Sequence, residues 1–484
     1  MKNSLLILLI LFICVSFLFI GYNFGISKIG SFKDLIESSE EHHSPPSVVI
    51  EPGSGVETAS YIIFKDDEGF VYAKNGDSGE IEFSGTDAGE VINWALGKLS
   101  SVIPYNRGTI FLKQGNYSID APLIVPSFVT LEGEGWGTLL RLADGADCAV
   151  IENDDQTSHG TVEVWIKNLR IDGNYAAQTS YIGTHGIEWD NSNCDNYWHT
   201  NYDVGFTLHV RNVLIEGCKN ASLYASNHGA TGHFYHDWAE FRVRDSQKYG
   251  IFLKTVSDSK FRGGYIGAGG TAALYMQYGA SNQFTDNYFG GGQNNIYIDA
   301  GNNHLFQLNR IDHSTQHNIY LKGVARYIDF IGNRISDTDY STGNTYSGIY
   351  LGGFSHNITI EDNTFVRGNP KYCVEEAGST SNNLIQANNF MNYGTTGVQP
   401  RSGSNSIIRY NKGYMTENSG TATIPEGSSS IPVNHGLTDI PSIVTVTPNR
   451  DTRFWVTDKN ENSFTINIPS SITGGVSFDW YAEV

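Results

Sequence analysis

Charged residues recur in this 484-residue chain at a spacing that can gather them on one surface. The repeated unit is a heptad: an Asn, an apolar residue three on, and an Asn three on again. It is seen as Asn168–Ile171–Asn174, Asn357–Ile360–Asn363, Asn382–Ile385–Asn388 and Asn405–Ile408–Asn411, with looser copies between. If the units stack, the residues beside the central apolar one face outward in columns. The position after it reads Glu132, Asp172, Glu216, Arg242, Arg262, Thr285, Gln307, Ile331. The position before it reads Thr130, Arg170, Leu214, Glu240, Lys260, Gln283, Leu305, Asp329. Charge is concentrated in the early copies, where crowded carboxylates and cations shift one another's pKa values. The candidate catalytic set is therefore Asp172, Glu216, Glu240, Arg242, Lys260 and Arg262. Two carboxylates of the set can act as acid and base in glycosidic hydrolysis. Alternatively, an Arg or Lys can take a proton beside a uronate carboxylate. If neither chemistry operates, the same charges are solvated or simply paired.

Aromatic residues accompany the charges. The stretch EWDNSNCDNYWHTNYDVGFT, between Ile187 and Leu208, is the largest insertion and holds Trp189, Trp198, His199 and Tyr202. These are candidate substrate-binding residues, because sugar rings present apolar CH faces that aromatic rings cover. NHGATGHFYHDW adds His228, His233, His236 and Asp237. The strands GIFLK, ALYMQ, NIYID, NIYLK and GIYLG repeat an aromatic at one position, Phe252, Tyr275, Tyr297, Tyr320 and Tyr350. Of these, Tyr275, Tyr297 and Tyr320 are taken as a glycan platform, with a stacking ladder or a subunit interface as the alternatives.

What positions these residues is a repeat. From Asn212 onward the copies begin about every 20 to 30 residues, the range of stacked solenoid units. Each unit alternates apolar and polar residues with period two and is dense in Gly and Asn, which excludes helix. Asn tolerates left-handed backbone, so one Asn per unit at a fixed place marks a corner. The expectation is an all-β, single-stranded right-handed parallel β-helix of about eleven coils over residues 86–419. A helix within TDAGEVINWALGKL, capped by Thr86 or Asp87, closes its first coil. Residues 61–85 read as a small β-meander. Residues 420–484 lose the Asn pattern and gain period-two strands such as SIVTVTP and SFTINIP, so they read as a C-terminal β-sandwich. Residues 27–60 read as a linker. Leu5–Ile20 within residues 1–26 is an unbroken apolar run, expected to be an uncleaved signal anchor or transmembrane helix that leaves the rest outside, with a cleaved signal peptide and a secreted protein as the alternative.

The segment GTIFLKQGNYSIDAPLIVPSFVTLEGEGWGTLLRL (Gly108–Leu142), with the helix before it, resembles the opening of the pectate-lyase-like β-helix superfamily. That group includes rhamnogalacturonase- and epimerase-like proteins and phage tailspikes. YIIFKDDEGFVYAKNG and the segment after it resemble archaeal surface proteins of the same architecture. The tail resembles sandwich modules at the ends of phage fibres and archaeal surface proteins. The resemblance implies the right-handed helix and a carbohydrate-related role, and it leaves the reaction open. It also implies calcium as the cofactor if the protein is a lyase. RIDH at Arg310–His313 resembles a pectate-lyase motif whose other residues have no counterpart here.

Composition narrows the partners. The 51 acidic residues outnumber 31 Lys and Arg, for a formal charge of −20, which argues against nucleic acid. Cys148, Cys194, Cys218 and Cys373 have no C-x-x-C spacing and read as buried free thiols. No metal-ligand spacing is assigned. The expected protein is an extracellular, membrane-anchored β-helix that binds and cleaves polysaccharide as a lyase or glycosidase. Its partners are a polysaccharide or cell-surface glycan and the membrane, with oligomerisation open. The alternatives are a non-catalytic adhesin or envelope component, and a viral receptor-binding spike.

Overall fold

The structure, a computed structural model, describes residues 59–100, 108–194, 206–227 and 235–484. The expected anchor and most of the linker (residues 1–58) lie outside the described residues, as do Trp198, His199, Tyr202, His228 and His233. Among the described residues, no helix is long and apolar enough to cross a membrane.

Each coil of the body contributes three short parallel strands, one to each of three faces. The coil around residue 300 illustrates it. Leu305–Gln307 lies on the first face, Arg310–Asp312 on the second and Ile319–Leu321 on the third. Each pairs in parallel with the equivalent strands of neighbouring coils. Among the described residues, the third face runs through eleven successive strands, from Leu123–Val125 to Thr396–Gln399. Period-two patterning points alternate residues inward. The first face stacks Phe261, Phe284, Phe306 and Phe330 inside, with centroids 4.8–5.0 Å apart. Such offset aromatic stacks add to the area they bury.

One left-handed residue makes the tight corner between the first and second faces. It is Asn212 (φ 50°), Glu240 (54°), Asp286 (55°), Leu308 (57°), Asp362 (55°) and Tyr410 (56°) in different coils. From Asn287 onward the residue after this corner is a buried Asn: Asn287, Asn309, Asn333, Asn363, Asn388, Asn411. From Asn309 on, each amide oxygen accepts the backbone N–H of the Asn one coil earlier, at 2.9–3.0 Å, and that of Asn287 accepts the Gly264 N–H at 2.9 Å. Each side-chain NH2 donates to a backbone carbonyl at the first-face centre of the preceding coil, for example Asn363 to Phe330 at 2.7 Å. The ladder satisfies the polar groups that a buried turn would otherwise leave unpaired.

The register differs from the expected one in the early coils. Asn357, Asn382 and Asn405 do share a corner (φ 54–56°). Asn168 instead occupies the corner between the first two faces, opposite Asn212. The heptads at 168–174 and 212–218 thus lie one strand further round the coil than the later ones, and that at 238–244 starts at the centre of a first-face strand, in step with neither. Both corners accept left-handed Asn, and the strands on either side share the same in–out alternation, so local sequence cannot tell them apart.

At the N-terminal end, Tyr61–Lys65, Val71–Asn75 and Ile81–Gly85 form the antiparallel meander, and Tyr61–Ile63 pairs in parallel with Ile110–Leu112. The meander therefore extends the first face. The helix is Ala88–Ser100, with Asp87 as its cap: Asp87 Oδ1 accepts the Glu90 N–H at 3.1 Å. It buries Val91, Ile92, Ala95, Leu96 and Leu99 over the first coil. At the other end, Glu417–Ile424, Val476–Glu483 and Ile443–Pro448 form one antiparallel sheet, and Ser430–Asn434, Ser463–Asn467 and Trp455–Thr457 another. The two share a separate core built on Ile424, Phe464, Ile466 and Phe478. Cys148, Cys194, Cys218 and Cys373 are free thiols, the last three buried and Cys148 partly exposed.

Candidate active site

The six charged residues singled out in the sequence do not converge. Asp172 and Glu216 are adjacent on the second face, in a column with Arg141 before and Arg244 after. Glu216 is 7% exposed and fully engaged, Oε1 by Arg170 and Oε2 by Arg244. Asp172 pairs with Arg141 at 3.4 Å. Lys260 and Arg262 point out from the first face, where Arg262 meets Asp237 at 2.9 Å and Arg211 holds the same carboxylate. Arg211 keeps Asp237 below the usual carboxylate range although burial opposes it. Glu240 is an exposed corner residue, and Arg242 lies on the second face over the Trp136 ring, 5.2 Å from its centroid. The shifted register is the reason: columns read as one belong to two faces.

The aromatic candidates also separate. Trp189 is fully buried, because IEWDN is a third-face strand that alternates Ile187, Trp189 and Asn191 inward; its ring is core and cannot cover a sugar. Phe252, Tyr275, Tyr297, Tyr320 and Tyr350 are in register on successive third-face strands, with centroids 4.8–5.3 Å apart.

A different group does converge. On the second face, three successive coils read Asn-Arg-Ile-Asp-His (309–313), Asn-Arg-Ile-Ser-Asp (333–337) and Asn-Thr-Phe-Val-Arg (363–367). The buried Asn fixes each start, and Ile311, Ile335 and Phe365 point inward. His313, Asp337 and Arg367 then fall at one left-handed corner (φ 59°, 45° and 56°). Asp312 is buried beside them. Its Oδ2 accepts from Arg310 Nε at 3.1 Å and lies 3.8 Å from Arg367. Its Oδ1 is 2.9 Å from His313 Nδ1, although not aligned as a hydrogen bond. Asp337 Oδ2 is 2.7 Å from Arg367 Nη2 and 3.9 Å from His313 Nε2. The Tyr340 ring meets the imidazole edge-on at 5.8 Å.

The two carboxyls lie close together and are shifted in opposite directions. Burial works against ionisation of Asp312, but the hydrogen bonds from the Arg310 guanidinium and the nearby His313 outweigh it and hold Asp312 low. Burial, then the neighbouring Asp312 carboxylate, push Asp337 up. The arrangement is one carboxyl held low and one pushed up beside a half-exposed imidazole, between two half-exposed guanidiniums. Each guanidinium has five donors and spends few of them here, so spare N–H groups can take an anionic group.

Ligand atoms of Asp312, His313 and Asp337 lie within 4.8 Å of one another, which raises the question of a cation. Calcium seeks six to eight oxygens. Here only two carboxyls are offered, the third donor is a ring nitrogen, and two guanidiniums already neutralise the charge. The set does not fit calcium; it fits an anion.

A cavity of about 580 Å³ leads along the face to the cluster, bordered by Trp136, Glu240, Arg242, Tyr265, Tyr288 and Arg310. RIDH marked half of the cluster in the sequence. Asp337 and Arg367 were missed, although both sit four residues after a ladder Asn, as His313 does; aligning the coils on that Asn finds all three.

The family described as "Right handed beta helix region" matches residues 233–390. No curated relative matches the sequence. Among solved structures, the chain is similar to the A-module of the Azotobacter vinelandii mannuronan C-5 epimerase AlgE6, with 17% identity over 67% of this chain and 94% of that one (TM-score 0.48). It is also similar to DFA-IIIase from Arthrobacter chlorophenolicus A6, with 15% identity over 67% and 84% (TM-score 0.48). A third likeness is to the Dettilon tailspike protein, with 13% identity over 81% and 90% (TM-score 0.43). The matched segment is built from the same three-strand coil that repeats from Thr109 to Arg409, so the fold of this body is that of a right-handed parallel β-helix.

Proposed function

We propose that the protein acts on an acidic polysaccharide, removing the proton next to a uronate carboxylate in a lyase-type elimination. The observation that carries this is the convergence of Arg310 and Arg367 on a carboxyl pair beside His313. Guanidiniums that neutralise the uronate carboxylate make its neighbouring C5 proton acidic enough to remove. His313, oriented by Asp312, takes that proton. The C5–H electrons form the C4=C5 double bond, the C4–O bond breaks, and the departing oxygen takes the proton held by Asp337. A two-carboxylate glycosidase fits less well, because its carboxyls stand about 5–5.5 or 6.5–9.5 Å apart, whereas carboxyl oxygens of Asp312 and Asp337 lie within 4.8 Å of each other. The test is incubation of the full chain with a panel of polyuronates and neutral glycans, following ultraviolet absorbance of unsaturated products and reducing ends together.

A second reading has its own support. The third-face ladder of Tyr275, Tyr297 and Tyr320 is an aromatic track on a different face from the cluster. It suits a non-catalytic glycan-binding adhesin, envelope component or spike. Glycan binding without any product, with binding lost in Tyr297→Ala, favours that reading over the first. In either case we place the body outside the cell, held by residues 1–26, on the strength of the apolar run Leu5–Ile20. Membrane partitioning and N-terminal sequencing of the mature protein test this; a start beyond residue 25 means secretion.

A further inference from the structure

One outward column of the second face has a composition found on neither of the other faces. In five successive coils it reads Arg242, Tyr265, Tyr288, Arg310, Arg334. Tyr265 and Tyr288 are stacked, with centroids 4.7 Å apart and planes within 8°. They can lie against the sheet because two residues on, the chain has Gly267 and Gly290. A Cβ there would sit 2.8 Å from the Tyr265 ring and 2.6 Å from the Tyr288 hydroxyl. The Arg310 guanidinium lies 5.4 Å from the Tyr288 centroid, and the Arg242 guanidinium 5.2 Å from that of Trp136. The cavity described above joins the two ends.

The pairing of the arginines separates them. On this face Arg141, Arg170, Arg244, Arg310 and Arg367 each have a carboxylate partner. Arg242 and Arg334 have none among the described residues, and they flank Arg310, three coils before it and one coil after. An unpaired, ring-stacked guanidinium in a groove is a receptor for an anionic group.

We propose that Trp136 and Arg242 form a remote subsite that binds a second acidic sugar of the same chain whose reacting sugar lies at the Asp312–His313–Asp337 cluster. The inference rests on the acidic-glycan reading above and adds the length and direction of what is recognised. Coils rise about 4.8 Å each, close to one hexose of a linear glycan, so the glycan runs along the helix axis and each sugar meets one coil. Arg242 takes a carboxylate, Tyr265 and Tyr288 lie under the sugars between, and Glu240 and Asp286 on the corner wall accept hydroxyl hydrogen bonds. Substrate is then gripped over about four sugars rather than one.

Calorimetric binding of defined uronate oligomers to the full chain tests this without needing turnover. A wild-type protein that binds a uronate hexamer about tenfold or more tighter than a dimer, with Arg242→Gln losing that gain and Arg242→Lys regaining part of it, is the expected result; the size follows from one charge-assisted contact. Raised salt should erode the gain, as for any exposed ion pair. A length gain that survives in Arg242→Gln overturns the subsite and leaves the reading of the cluster standing. A gain shown equally by neutral hexamers overturns its acidic character. Failure of every uronate oligomer to bind the wild type overturns the acidic-glycan reading itself, and the subsite with it.

Discussion

Between Arg141 and Arg244 the second face sets each carboxylate against guanidiniums; between Arg310 and Arg367 the same face leans two carboxyls on each other. In the early stretch Glu216 bridges Arg170 and Arg244 and has no oxygen to spare. In the later stretch Arg310 holds Asp312 low, burial and the nearby Asp312 push Asp337 up, and His313 stands beside both. The corner beside each stretch differs too. Leu169, Val213 and Phe241 fill the slot in the early coils, and Asn309, Asn333 and Asn363 fill it in the later ones. Similar residue types in similar columns therefore do different things. A complete set of opposite charges makes a strut, whereas an incomplete one leaves groups able to exchange protons.

The largest expected effect separates the two stretches by function. Asp337→Asn and His313→Ala should slow turnover of an acidic glycan by about 10²- to 10⁴-fold with the fold intact by circular dichroism. Glu216→Gln should cost less than tenfold in turnover by the folded protein. If Glu216→Gln matches Asp337→Asn in activity loss, the division between strut and site is wrong.

The next effect is on stability and targets the corners. Asn363→Ala removes two donated bonds, to Phe330 O and Asn388 Oδ1, and leaves the Asn333 N–H unpaired. It should cost about 2–4 kcal/mol by denaturant titration. Glu216→Gln, which leaves two partly exposed guanidiniums without their carboxylate, should cost about 1–3 kcal/mol. The reverse ranking would mean that the charge ladder, not the Asn ladder, carries more of the coil's stability.

The pH dependence sharpens the contrast further. Asp337 is pushed up and must hold its proton to act, so activity should fall as pH rises through its raised pKa, and Asp337→Asn should lose that limb. Elsewhere, on the third face, burial and then Glu152 and Asp190 raise Glu188 to about 7. A carboxyl raised on folding favours the protonated native state, so its stabilising contribution is full below the unfolded value and is lost as pH rises toward about 7. The loss should be about 1–3 kcal/mol after allowing for partial exposure. Glu188→Gln should flatten that slope; an unchanged slope would remove Glu188 from the account.

How far the sequence could be read follows the same division. The late coils were legible because the buried ladder demands Asn at one place, and no other residue both accepts and donates there with the same reach. The helix capped by Asp87 and the tyrosine column were legible for similar reasons, a cap and an unbroken period of one coil. The early coils were not. There the corner tolerates Asn, Glu or Gly, the slot after it is apolar, and Asn168 and Asn212 imitate the later ladder from the wrong corner. That one-strand displacement sent the site search to Glu216, although the residues that gather lie where the register was right. Trp189 was misplaced for a different reason: an apparent loop begins as a strand, and period two turns its ring inward.

The most direct test of the central claim is the time course of ultraviolet absorbance when the full chain is mixed with a panel of polyuronates, beside Asp337→Asn and His313→Ala. Unsaturated product from the wild type on at least one polyuronate, with the rate reduced at least a hundredfold in both variants, is the predicted result. Product formed at the wild-type rate by both variants, or reducing ends released with no unsaturation, would contradict it.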